Sequence, residues 1–391
     1  MIQTEEIRLT SMVRRWVRPL AAVALVATAA ACGGDKGGAA GQQGKDGKAA
    51  GPAGQQRGDT TRTGPQPAPV RTAYGKTAAQ SQQCFRRLQA RLDSAAAALK
   101  ADSTARAPGS GRNPVFAKEQ GWYPTKEQFR DGDLLPCNRI VAYYGNPTST
   151  RMGALGEFPR DEMLRRLQNE VHRWAQADPS TPVIPALHLI AVVAQGAPGP
   201  SGHYRAQMRD KAVDSIYQMA RSINAIMLID VQVGTDDIRN IMPRFFEILK
   251  RPDVHFAVDP EFYMRGGVVP GRRIGTMYAA DINYVTDQLA RIVRENNLPP
   301  KVLVIHRFTR NMVPDAEKIQ LRPEVEFVMD MDGWGAPWLK YDSYQDYIVR
   351  HPVEFTGFKL FYHNDTKKGD PLMTPRDVLG LWPQPLYIQY Q

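Results

Sequence analysis

Val325-Glu326-Phe327-Val328-Met329-Asp330-Met331-Asp332 is a mostly apolar run of strand length that ends on two aspartates. A run of this kind, apolar at nearly every position, fits a strand covered on both faces, as in a parallel sheet flanked by helices. The same pattern recurs outward in both directions. Lys301 to Phe308 precedes it and Phe355 to Tyr362 follows it. Further out lie Ile140 to Tyr144, Val183 to Val193, Ala225 to Val233, Val254 to Phe262 and Leu386 to Tyr390.

Helical spacing fills the intervals at 160–177, 208–223, 236–250, 281–296, 341–350 and 374–381, with a weaker pattern at 310–319. Asp281 leads the helix at 281–296 and Pro299-Pro300 stops it, while Thr374-Pro375 opens the one at 374–381. Eight strand–helix repeats within about 250 residues predict an α/β fold, a single (β/α)8 TIM-type barrel over 139–391. An open doubly wound sheet is the alternative, but no glycine-rich phosphate turn accompanies it.

The 391 residues are 42% hydrophobic and 23% charged, which is ordinary globular composition. Formal net charge is +10, of which +2 falls in the first 31 residues. The excess is spread thinly, with no Lys/Arg block and no nucleic-acid motif. It favours anionic surroundings such as headgroups or wall polymers, and no nucleic-acid partner is expected.

Residues 12–19 form a positive segment, and Leu20 to Ala31 a 12-residue apolar one. That is too short for a permanent span of about 30 Å and suits a signal peptide over 1–31. It ends in Ala29-Ala30-Ala31-Cys32-Gly33-Gly34, which resembles a lipobox and implies lipidation of Cys32. Ala29 stands where such boxes usually carry Leu. Residues 32–72 hold almost nothing apolar larger than Ala, so they read as a disordered tether reaching roughly 35 Å. Residues 73–138 then supply one amphipathic helix, carried by Phe85, Leu88, Leu92 and Leu99, and a lead-in. Cys84 and Cys137, an even pair in an exported chain, are expected to form a disulfide. The whole is expected to be exported and held at the cell envelope as a membrane-anchored protein.

Active sites of such barrels lie at the C-terminal strand ends. Here those ends carry Asp230 and Gln232, Asp259 and Glu261, His306, Asp330 and Asp332, and Lys359. Strand residues at i and i+2 share a face, so each pair is expected to point into the mouth together. Crowding carboxyls costs desolvation and repulsion, which a purely structural rim would avoid.

Glycoside hydrolysis needs one protonated and one ionised carboxyl. Glu261 is the expected acid, with Asp259, Asp230 or Asp332 as the ionised partner. Gln232, His306, Asp330 and Lys359 would orient substrate, and Tyr144, Trp334 and Tyr362 would stack on sugar. The loop 262–280, with Gly266, Gly267, Pro270, Gly271 and Gly275, reads as a lid or a substrate wall.

Metal-assisted hydrolysis competes, with Asp230, Asp259, His306, Asp330 and Asp332 as available ligands. Yet the first strand lacks the His-x-His pair of metal-dependent hydrolase barrels, no H-E-x-x-H occurs, and His188 reads as a core histidine. No metal or other cofactor is therefore assigned. Schiff-base chemistry at Lys359 is a further alternative, and so is a barrel that binds a glycan or wall polymer without cleaving it.

Met152-Gly153-Ala154-Leu155-Gly156, Asp230-Val231-Gln232-Val233-Gly234, Val258-Asp259-Pro260-Glu261-Phe262, Pro270-Gly271-Arg272-Arg273-Ile274-Gly275, Asp281-Ile282-Asn283 and Tyr387-Ile388-Gln389-Tyr390-Gln391 resemble an actinobacterial-type family of uncharacterised lipoproteins. That resemblance implies a lipid-anchored barrel and brings no established activity. Asp259-x-Glu261 is more distantly similar to the pair in barrel muramidases. It implies Glu261 as general acid and Asp259 as charge stabiliser, although Tyr143 and Tyr144 replace the acid of their first strand.

Overall fold

The computed structural model describes residues 72–102 and 128–391. The expected signal peptide, Cys32, nearly all of the tether and residues 103–127 of the lead-in lie outside them.

Eight parallel strands close into a barrel: β1 (Arg139–Gly145), β2 (Val183–Ala194), β4 (Ile226–Val231), β5 (Val254–Val258), β6 (Lys301–Arg307), β7 (Val325–Met331), β8 (Phe355–Leu360) and β9 (Tyr387–Tyr390). The order runs β1-β9-β8-β7-β6-β5-β4-β2, and pairing of β1 with β2 closes it. A short strand, β3 (Arg205–Gln207), pairs antiparallel with the end of β2, Val193 opposite Ala206. The expected (β/α)8 barrel is the fold.

Strand alternation sorts the residues into two cores. Val141, Leu187, Leu189, Met227, Ile229, Phe256, Leu303, Ile305, Phe327 and Met329 face the helices. Their neighbours Ile140, Ala142, Ile184, Ala186, Ile226, Leu228, Ala257, Val302, Val304 and Val328 fill the lumen. Each larger aliphatic side chain buried this way contributes about 1.5–3 kcal/mol.

Outside the barrel, α2 (Arg160–Ala177) buries Met163, Leu164, Leu167 and Trp174. Helix α3 (Asp210–Arg221) buries Val213, Ile216 and Ala220. Helix α4 (Ala279–Glu295) buries Ile282, Val285, Leu289, Ala290 and Val293. All three follow the three-to-four-residue spacing of an amphipathic helix.

The helix expected over 236–250 is broken. Ile238–Ile241 and Phe246–Leu249 are single turns around a 3-10 turn at Met242–Phe245. Pro243 has no N–H to carry the ladder through. The weak pattern at 310–319 is two 3-10 turns, Arg310–Met312 and Ala316–Lys318.

The preceding helix α1 (Ala78–Ala101) starts with a capping box at Thr77 and Gln80. It is joined by Cys84–Cys137 to the segment entering β1, with Cα atoms 5.2 Å apart. That segment sends Leu134 and Leu135 into the luminal core, plugging the N-terminal end of the barrel. Their backbone N–H groups donate to Glu326 at 3.0 and 2.7 Å. Among the described residues no helix is long and apolar enough to cross a membrane.

Candidate active site

The alternation that lines the lumen with aliphatics changes character at its C-terminal end. The next inward positions are Tyr144 on β1, His188 on β2, Asp230 on β4, His306 on β6, Asp330 on β7, Lys359 on β8, and Tyr387 and Gln389 on β9. Each is buried, and Asp230, His188, His306 and Asp330 are fully so. Gln232, Asp259, Glu261 and Asp332, just past their strand ends, complete the ring. Gly357 makes room in it: a Cβ there would lie 2.5 Å from Asp330 Oδ1 and 3.0 Å from Tyr387 Cδ1.

Asp332 lies 3.0 Å from Lys359 Nζ and 3.4 Å from His306 Nδ1. The same imidazole nitrogen is 3.3 Å from Asp330, close but without hydrogen-bond alignment. His306 Nε2 and His188 Nε2 each stand 3.6 Å from Asp230 Oδ2. Behind His188, Nδ1 is 2.5 Å from Tyr387 OH, and the Gln389 amide lies 3.0 Å from both. Lys359 Nζ sits 3.8 Å from the Tyr144 ring centroid, a cation–π contact. Gln232 accepts from Ala194 N at 3.0 Å and donates to Asp259 Oδ2 at 3.3 Å.

One expected pairing is corrected. Strand β5 stops at Val258, and Pro260–Phe262 form a 3-10 turn. Proline cannot continue the ladder, so Asp259 and Glu261 do not share a strand face. Instead Asp259 Oδ1 caps the turn by accepting from Glu261 N at 3.0 Å. Glu261 is half-buried, whereas the other carboxyls of the ring are buried. Gly275 N donates to the Glu261 carbonyl at 2.7 Å, which ties the 262–280 loop to the acid.

Tyr362 is also corrected. Strand β8 ends at Leu360, and Tyr362 packs in the helix-facing layer. Its hydroxyl donates to Glu170 of α2 at 3.1 Å and pairs with Tyr143 OH at 3.0 Å. It is committed to holding a helix on the barrel. Trp334, 50% exposed, stands on the loop after β7, and Trp338, 52% exposed, in the first turn of the helix Pro337–Ser343 that follows it. Lys340 pins that loop by donating to the carbonyls of Gly333 and Lys359 at 2.9 and 2.8 Å.

The ring separates the proton affinities of its members. Burial pushes Glu261 up to about 8, with Asp259 and Asp332 adding repulsion. Burial likewise lifts Asp259 to about 7 and raises Asp330. Burial alone would also raise Asp230, but His188 and His306 outweigh it and hold that carboxyl below its ordinary value. His188 is lowered to about 4 by burial. For His306 burial is overcome by Asp230, Asp330 and Asp332, which raise it well above the ordinary imidazole.

His188, Tyr387 and Gln389 belong to the ring although the sequence reading left them out. His188 has the same strand parity as Ile184 and Ala186, which face the lumen. That parity, counted from a luminal residue, was the available signal.

No protein-family model matches the chain, and no curated protein sequence does. A structure from work on inhibition of the pneumococcal virulence factor StrH and on N-glycan recognition and hydrolysis is similar over 66% of this chain and 78% of that one. The identity is 9% and the TM-score 0.34. A sugar phosphate isomerase/epimerase from Parabacteroides distasonis is similar over 66% and 88%, with 13% identity and a TM-score of 0.29. Likeness this distant bears on neither activity nor substrate.

Proposed function

We propose that the chain is a hydrolase acting on a cell-wall or extracellular glycan, held at the envelope through lipidated Cys32. The observation that carries this reading is the divided proton affinity within one ring. Glu261, half-buried and raised to about 8, keeps its proton at neutral pH. Asp230, which His188 and His306 hold below its ordinary value, stays ionised in the same ring, and Asp332 faces Lys359 and His306 at 3.0 and 3.4 Å. A protonated and an ionised carboxyl at one mouth are what cleavage of a glycosidic bond requires.

In this reading Glu261 donates its proton to the leaving oxygen. Asp332, with Asp230 deeper in the ring, balances the positive charge that develops on the sugar. Lys359, His306 and Gln232 fix the ring's geometry, and the exposed Trp334 offers a stacking face at the rim.

The test is turnover of peptidoglycan and neutral polysaccharides by the purified chain and by Glu261→Gln. Loss of a general acid is expected to lower the rate on the order of 100- to 10,000-fold. If both proteins bind glycan and neither turns it over, the barrel is a binding protein and the hydrolase reading fails. Anchoring is tested separately, by incorporation of labelled lipid into the wild type but not into Cys32→Ser.

A further inference from the structure

His188 Nε2 and His306 Nε2 approach the same oxygen, Asp230 Oδ2, from two sides at 3.6 Å. That is beyond a hydrogen bond, whose N···O distance is about 2.9 Å. Two ligands about 2.0–2.1 Å from a tetrahedral zinc ion stand about 3.4 Å apart. One ligand atom from each of His188, Asp230 and His306 lies within 4.8 Å of the others. All three residues are fully buried. His188 Nε2, His306 Nε2 and both Asp230 oxygens lack any hydrogen-bond partner, at a cost of about 1–3 kcal/mol per group.

Of the two outer nitrogens, His188 Nδ1 has a hydrogen-bond partner of the kind metal-bound histidines keep, whereas His306 Nδ1 lies close to two carboxylates without an aligned hydrogen bond. His306 Nδ1 faces Asp330 and Asp332 at 3.3 and 3.4 Å, and His188 Nδ1 faces Tyr387 OH at 2.5 Å. Outer partners of this kind fix a ligating ring's orientation and tautomer. Gly357 keeps Asp330 in place by leaving it space.

We propose that His188 Nε2, His306 Nε2 and the Asp230 carboxylate form a binding site for one borderline divalent cation, with zinc the best match. Two imidazoles and one carboxylate suit zinc and its first-row neighbours and disfavour the all-oxygen sites of calcium and magnesium. Three protein ligands leave a fourth position for water or a substrate oxygen. The proposal goes beyond the glycan reading and does not depend on it. It departs from the sequence reading, which took His188 as a core residue and assigned no metal while keeping metal-assisted hydrolysis as an alternative.

The purified chain, stripped by chelator and titrated with Co2+ as a zinc surrogate, is expected to bind one ion and develop visible absorption bands. X-ray absorption on the zinc-loaded chain should count two imidazole ligands. His188→Gln and Asp230→Asn should each lose at least about 100-fold in affinity, since even an outer partner is worth about 10- to 100-fold. Asp330→Asn is expected to fall in that smaller range. Circular dichroism identifies any variant that fails to fold, and the wild-type absorption spectrum then decides.

A folded wild type that takes up neither Zn2+ nor Co2+ overturns the proposal, since a buried water would then bridge the three groups. So does metal bound equally by folded His188→Gln, or a spectrum without imidazole. Stoichiometric metal in a chain that turns over no glycan keeps this site and removes only the glycan reading.

Discussion

The two ends of the barrel treat buried polar groups in opposite ways. At the N-terminal end Glu326 accepts from the backbone of Leu134 and Leu135. There Lys301 Nζ donates to the carbonyls of Arg251 and Val254 at 2.6 and 3.0 Å. Glu354 accepts from Phe327 N at 2.8 Å. His255 Nδ1 accepts from Val302 N at 3.0 Å, and only its Nε2 is left over. At the C-terminal end His188 Nε2, both nitrogens of His306, and both oxygens of Asp230 and of Asp330 have no hydrogen-bond partner. One end spends its buried polarity on folding. The other holds it in reserve, at a cost in stability that a bound ligand, substrate or buried water would offset.

If that contrast is right, breaking the N-terminal end should cost stability outright. The largest effect belongs to the disulfide, which closes a loop of 53 residues. Chain entropy over that length corresponds to about 4 kcal/mol. Replacing Cys84 and Cys137 together by serine should lower the free energy of unfolding, read from denaturant titration, by that amount, and reduction of the wild type should reproduce it. Glu326→Gln comes next. The amide keeps one acceptor oxygen but sets an NH2 group beside Leu134 N, and it gives up charge-assisted bonds. A loss of about 3 kcal/mol is expected in the same unfolding experiment. A loss under about 1 kcal/mol would mean that the plug is not what satisfies this end.

The contrast between the ends was only partly legible in the sequence. The barrel itself was, because each strand is a largely apolar run and most carry polar residues near or just past their C-terminal ends. Asp230, His306, Asp330 and Lys359 could be placed at the mouth from strand parity alone. Glu261 could not, because its direction is set by the turn that Pro260 forces after Val258. Tyr362 looked like a mouth residue only because Leu360, two residues earlier, gives no visible stop signal. The pairing of Glu326 with Leu134 and Leu135 spans about 190 positions, and nothing in local composition encodes such a contact. His188 was the costliest loss. A lone histidine in an apolar run reads as core until its partners, more than 40 and more than 110 positions away, are placed beside it.

The next prediction sharpens the C-terminal side. Gly357→Ala sets a Cβ against Asp330 Oδ1, the Asp330 backbone and Tyr387. Overpacking of this kind costs about 2 kcal/mol. If the ring is a working site, the same variant should also displace Asp330 and weaken Co2+ binding. Lost stability with metal binding unchanged would make Gly357 a packing residue only.

The smallest expected effect is also the one with an unusual sign. Glu261→Gln should stabilise the protein at alkaline pH. In the folded chain burial and the neighbouring carboxyls raise Glu261 to about 8, against an ordinary value of 4.5. The folded state therefore holds this proton more tightly than the unfolded chain does. Below about pH 4.5 both states are protonated and nothing is lost. As pH rises from there towards 8 the unfolded chain ionises first, and the stability contributed by the group declines. Above 8 the folded state carries a partly desolvated carboxylate beside Asp259 and Asp332. Glutamine removes that burden, and because Glu261 keeps part of its surface in water the gain is on the order of 1 kcal/mol. Unfolding curves of the two proteins should coincide near pH 4, diverge between 5 and 8, and run parallel beyond. The activity profile reads the same group from the other side: a general acid must hold its proton, so wild-type kcat/KM should fall as pH rises through about 8. A variant less stable than wild type at pH 9 would show that Glu261 is held by favourable contacts in its ionised form. It would then belong with Glu326, among the groups that hold the barrel together.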